Sequence, residues 1–153
     1  MAADLLATVT EALAAELEDH AAEIIKLAEA LDESKLWAKP VQPGNSIGHL
    51  ILHLTGNLNN YIGAQLGGTG YVRDREREFT ETRPPGKAAL LAGFKEAVAL
   101  SRRVITGLSA EQLMSPFAEA KFGNTCKAIM HMIAHAALHR GQMSYLVRLV
   151  EKK

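Results

Sequence analysis

Residues 3–31 carry Leu5, Leu6, Val9, Leu13, Leu17, Ile24, Leu27 and Leu31 at intervals of three, four and seven, with charged residues set between them. Apolar residues at that spacing make one stripe along an α-helix. At 1.5 Å per residue such a helix is about 43 Å long, and its stripe needs partners of comparable length. The rest of the chain offers three. Asn45 or Ser46 is a good N-cap for a helix over 47–66, which Gly67, Gly68 and Gly70 stop. Leu90, Leu91, Phe94, Val98 and Val104 mark a third over 87–107, and Asn124 or Thr125 caps a last one reaching residue 150. Four long helices without a strand pattern predict an all-α four-helix bundle, a single domain over 1–153.

The connections are read the same way. Pro40, Pro43 and Gly44 make 32–45 a linker, in which Trp37 covers one end of the core. Residues 71–86 form a long polar loop containing Arg73, Asp74, Arg75, Glu76, Arg77, Glu78 and Glu81 and ending at Pro84-Pro85, and loops of that length are often functional. Ser109-Ala-Glu-Gln112 has the capping-box pattern of a short helical turn, and 116–123 is a further connection.

Seventeen basic and seventeen acidic side chains cancel. Nothing in that balance suggests nucleic acid or an anionic membrane surface, so the expected ligand is a small molecule or a protein. One cysteine, Cys126, excludes an intramolecular disulfide framework and suits a reducing, cytoplasmic setting. The acidic residues Asp4, Glu11, Glu16 and Glu18 are unlike a signal peptide, and no run approaches the roughly 18 apolar residues of a membrane span.

The last helix holds His131, His135 and His139, each four residues from the next, and the second holds His49 and His53. With about 100° between successive residues, and His131 set at zero, His135 falls at about 40° and His139 at about 80°. Those angles lie within the apolar sector of Met132, Met143, Leu146, Leu149 and Val150, whereas His131 is at its edge. On the second helix His53 flanks the stripe of Ile47, Leu50, Ile51, Leu54, Leu58 and Ile62, beside Asn57 and Asn60, and His49 turns further towards solvent. His135 and His139 are thus the best pair and His53 the better third member. Neutral imidazole suits zinc, nickel, iron or cobalt. Three nitrogen ligands leave a position open for water or substrate, the pattern of a catalytic rather than a structural metal. The alternative is a set of core histidines satisfied by hydrogen bonds.

The string His135-Ala-Ala-Leu-His139-Arg140-Gly141-Gln142 resembles the H-x-x-x-H-R-G-Q signature of the DinB/YfiT-like metal-dependent proteins. The segment 45–54, with His53, is similar to their second-helix segment, and the loop 73–79 to a segment found in one branch. The resemblance covers nearly the whole chain. It implies an up-down-down-up four-helix bundle, often a homodimer, with a divalent ion at one end held by His53, His135 and His139. His49 and His131 stay open as alternatives. It also implies thiol-dependent transferases and isomerases using bacillithiol, mycothiol or glutathione, beside relatives described as hydrolases.

The expectation is therefore a metal-dependent enzyme acting on a small molecule, with a zinc, nickel or iron ion and a low-molecular-weight thiol. A thiol-dependent S-transferase or related isomerase comes first, then a metal-dependent hydrolase. The competing class is a non-catalytic, metal- or ligand-binding or stress-related bundle. Gln142 is a candidate to orient a ligand or substrate, whereas Arg140 turns away. Gly141 is expected to let a neighbouring helix approach. Asp74, Glu76 and Glu78 are candidate bases, although charges in such a loop are ordinarily solvated, and Arg73, Arg75 and Arg77 can hold the carboxylates of a thiol cofactor. Cys126 reads as a packed or partly exposed thiol, His20 as a surface histidine, and Met130, Met132 and Met143 as packing residues.

Overall fold

The computed structural model describes residues 2–152. Its long helices are α1 (Ala2–Glu29), α3 (Ile47–Leu58), α5 (Lys87–Thr106) and α7 (Thr125–Glu151), joined through the short α2 (Glu33–Trp37), α4 (Arg77–Thr80) and α6 (Ala110–Met114). α1 packs on α5 and α7, and α3 packs on the same two, which makes the up-down-down-up four-helix bundle. Among the described residues there is no sheet, only an isolated bridge between Pro116 and Asn124.

The seam of α1 shows why the bundle closes. Ala14, Leu17, Ala21, Ile24, Ala28 and Leu31 alternate at three and four residues and are all buried. Small and large side chains then interdigitate with the facing helices, as in a coiled-coil seam. Ile51, Leu54 and Leu58 from α3, Phe94 and Ile105 from α5, and Ile129 and Met143 from α7 complete the core.

Helix starts are set by local hydrogen bonds. The Ser46 hydroxyl accepts from the His49 N–H at 3.1 Å, and the Asn124 side chain from the Lys127 N–H at 2.9 Å. Ser109 and Gln112 make both bonds of the capping box. The connection 32–45 differs from expectation: Asp32 accepts from the Lys35 N–H at 2.8 Å and starts α2. This turn swings Trp37 onto Gly48, whose missing side chain leaves room for the indole.

The second helix also departs from regularity. After Leu58 it continues as a π-helical segment, Asn59–Ala64. Such segments are rare and occur mostly at functional sites, and this one carries Tyr61, whose ring packs against Phe122 and under the Arg73 guanidinium. The loop 71–86 is partly ordered as α4, which lies against α3. His20 is buried rather than on the surface, 9% exposed, with Nε2 3.2 Å from Glu16. Met130 is 57% exposed and so is not a packing residue, whereas Met132 and Met143 are buried. A side chain at Gly141 would meet open space, so no helix of the same chain approaches there.

Candidate metal centre

His53 from α3 and His135 and His139 from α7 meet where these two helices pack. Their ligand atoms all lie within 4.8 Å of one another. His135 Nε2 is 3.1 Å from His53 Nε2 and 2.9 Å from His139 Nε2. One Nε2 can carry only one proton, so hydrogen bonding accounts for at most one of these approaches through His135. The opposite edges of two rings explain the arrangement. His53 Nδ1 is 2.8 Å from Glu78 Oε2 and His139 Nδ1 is 2.7 Å from Gln142 Oε1, so both donate through Nδ1 and turn a bare Nε2 lone pair inward. The tautomers follow from the acceptors. His135 Nδ1 is buried without a hydrogen-bond partner. Three neutral imidazole nitrogens converging in this way fit a divalent transition metal.

Behind His53 stands a buried ion pair. Arg73 donates from Nε to Glu78 Oε1 at 2.7 Å and from a terminal nitrogen to Oε2 at 2.9 Å. The side chains are 10% and 7% exposed. The Phe79 ring, 4.7 Å from the His53 ring centroid, closes one side. Gly56 makes this possible, because a Cβ there would collide with Glu78 Oε1. Gly56→Ala is expected to push Glu78 off His53, weakening metal binding about tenfold and lowering stability by about 1 to 3 kcal/mol. Metal titration calorimetry and urea unfolding will check both.

Burial sets the charge state of His135 and His139. His135 is pushed down to about 3, first by loss of water and then by the neighbouring His139 and His53. His139 is also lowered by burial, against the opposing bond to Gln142. Burial alone would raise Glu78, but the bonds from His53 and Arg73 and the Arg73 charge outweigh it and hold the carboxyl below its usual range. His135 and His139 are therefore held neutral near an ionised carboxylate.

A pH dependence follows. Between the unperturbed histidine value of about 6.5 and about 3, unfolded His135 binds a proton that folded His135 does not. Its contribution to stability is present above pH 6.5 and is lost as pH falls through that window. Metal-free His135→Gln is expected to lose less stability than metal-free wild type between pH 6.5 and 4, measured by urea unfolding in chelator.

The remaining candidates separate clearly. His49 is buried, 6% exposed, and does not turn towards solvent. Its Nδ1 is 2.6 Å from the Ser46 hydroxyl and its Nε2 3.3 Å from the Glu81 carbonyl, and its ring stands edge-on to Trp37. It serves the helix start, outside the cluster of His53, His135 and His139. His131 is exposed and lies 5.0 Å from the Phe122 ring. Cys126 is partly buried. Of the three loop acids only Glu78 is buried; Asp74 and Glu76 are exposed. The expectation of a solvated loop therefore fails at Glu78, and the i, i+5 spacing from Arg73 gives no periodic signal that would single it out.

An all-helical bundle with three convergent imidazoles defines a class: four-helix-bundle proteins with a histidine site suited to a divalent metal. Residues 12–150 match the sequence profile of the mycothiol-S-transferase family, and the chain belongs to that family. The solved structure of a conserved protein from Enterococcus faecalis has the same fold, with a TM-score of 0.77 over 94% of this chain and 98% of that one. The two are 17% identical, so what they share is the fold. No curated protein matches the chain in sequence. Family and site together give a metal-binding, thiol-transferase-like function directed at a small molecule.

Proposed function

We propose that His53, His135 and His139 hold one zinc, nickel or iron ion and that the protein joins a low-molecular-weight thiol, mycothiol by the family's name, through its sulfur to a small electrophile, the thiol giving up its proton and the electrophile its leaving group. The observation that carries this reading is the convergence of three Nε2 atoms, two of them freed by Nδ1 bonds to Glu78 and Gln142. A divalent ion held there lowers the pKa of a thiol or water brought to its open position. Glu78 orients His53 and fixes its tautomer through Nδ1. Arg73 balances the Glu78 charge, and Gln142 fixes the plane of His139. Phe79 packs on the His53 ring and, with the burial of His53, limits water at the nitrogen cluster.

The test is turnover of zinc- or nickel-loaded protein with 1-chloro-2,4-dinitrobenzene, with and without mycothiol. Thiol consumption only in the loaded protein supports the transferase. Ester hydrolysis without thiol would instead support the hydrolase, since three nitrogen ligands also leave a place for water.

Two further elements of the reading concern setting. Met130, Leu138 and Tyr145 are 57%, 57% and 64% exposed on one face of α7, which supports a homodimer through that helix. No helix among the described residues is long and apolar enough to cross a membrane. Together with the lone Cys126, this supports a cytoplasmic location.

A further inference from the structure

A cavity of about 230 Å³ opens beside the cluster, with His53 and His135 on one wall and Asn57, Tyr61, Arg75 and Lys121 among its other lining residues. It is smaller than the roughly 300 to 1,000 Å³ of pockets for drug-sized ligands, so its occupant is small. No carboxylate lines it. Arg73 also faces it but is committed to Glu78 through two hydrogen bonds.

Two cations remain, and each is seated on a ring. The Arg75 guanidinium carbon lies 5.6 Å from the Phe79 centroid and Lys121 Nζ 4.8 Å from the Phe122 centroid. Such seating restrains side chains that would otherwise roam in solvent. Lys121 is partly balanced by Glu119 at 2.9 Å, so Arg75 brings the larger unbalanced charge. An independent observation comes from Asn57, which is 6% exposed and whose Oδ1 is buried with no hydrogen-bond partner. Leaving such an acceptor unmet is unfavourable, and unmet buried polar atoms are uncommon in folded proteins. Asn57 sits one turn beyond His53 on the same face of α3, so a molecule lying against His53 reaches it.

We propose that this cavity takes a small organic acid, with its carboxylate on Arg75 and Lys121 and a hydroxyl or amide donor on the Asn57 carbonyl. An acid that also carries an electrophilic carbon is then the molecule presented to the thiol: the S–H bond gives up its proton, a C–S bond forms, and a leaving group or the carbon's own π bond takes the displaced electron pair. This rests on the metal-centre reading for one wall of the cavity and names the substrate class of the same site. A planar carboxylate suits the guanidinium fork of Arg75, and the surrounding charge favours an anion over its neutral amide.

The experiment uses succinamate, which has one carboxylate and one amide, against the uncharged succinamide and inorganic phosphate. Nickel binding is titrated first, and the three probes are then titrated calorimetrically into nickel-loaded protein at low salt. Wild type is expected to bind succinamate at least about tenfold more tightly than succinamide, the value of one charge-assisted contact. Arg75→Gln/Lys121→Gln is expected to abolish the difference while nickel affinity is unchanged. Asn57→Ala is expected to weaken both organic probes. Equal binding of acid and amide, no binding of either, phosphate binding as tight as succinamate, or a double variant that keeps the preference would each overturn the proposal and leave the metal reading intact. If nickel itself fails to bind, the metal reading falls. The same comparison on metal-free protein, where Arg75, Lys121 and Asn57 remain, then decides the anion pocket.

Discussion

The double variant His135→Ala/His139→Ala is expected to purify without a transition metal, where the wild type carries about one equivalent. Plasma mass spectrometry on untagged protein prepared without chelators will read this directly. Thiol transfer should fall to background in the same variant. The fold should survive, because α7 is anchored by Ile129, Met132, Ile133, Ala136, Met143 and Val150 rather than by its histidines. Metal added to wild type at about 100 times its Kd stabilises it by about 2.7 kcal/mol, a rise in Tm of roughly 5 to 10 °C, and the variant should show none. A variant that kept its metal would point to other ligands and refute the assignment of His135 and His139.

Glu78→Gln should have the next largest effect, and on two properties at once. Removing the charge leaves the Arg73 guanidinium, 10% exposed, without its counter-ion. Breaking a buried pair from one side costs about 3 to 5 kcal/mol, so a fall in Tm of roughly 6 to 20 °C is expected. Metal affinity should fall about 10- to 100-fold, because His53 loses the carboxylate that fixes its tautomer and its ring. The two effects can be separated. Arg73→Met/Glu78→Gln no longer buries an unpaired cation and should regain much of the stability, but it should not regain the affinity. If affinity returned together with stability, Glu78 would be a packing residue and nothing more.

Much of this architecture was legible in the sequence because it depends on neighbours within one or two helical turns. Ser46, Asn124 and the Ser109–Gln112 pair cap helices through atoms three residues away. The placement of His135 and His139 on the inner face follows from 100° per residue. Gln142 is three residues beyond His139, and that spacing suffices for their bond. Other features could not be read this way. By helical angle alone His49 points outward, but the chain that turns at Asp32 lays Trp37 over that side of α3. His20 is buried although its sequence neighbours are charged. Gly141 suggested a close helix contact, yet a glycine in sequence does not say which face is occupied.

The sequence by itself determined the helices, their caps, their inward stripes and the histidine pair of α7, since each is fixed by backbone periodicity and short-range hydrogen bonds. Only the tertiary structure decided that His53 meets that pair across 82 residues and that Glu78, from a loop that reads as solvated, stands behind it with Arg73. These contacts have no period. They arise where two packed helices and a folded loop remove water from the same few ångströms, and there a buried charge must find its partner wherever the chain supplies one.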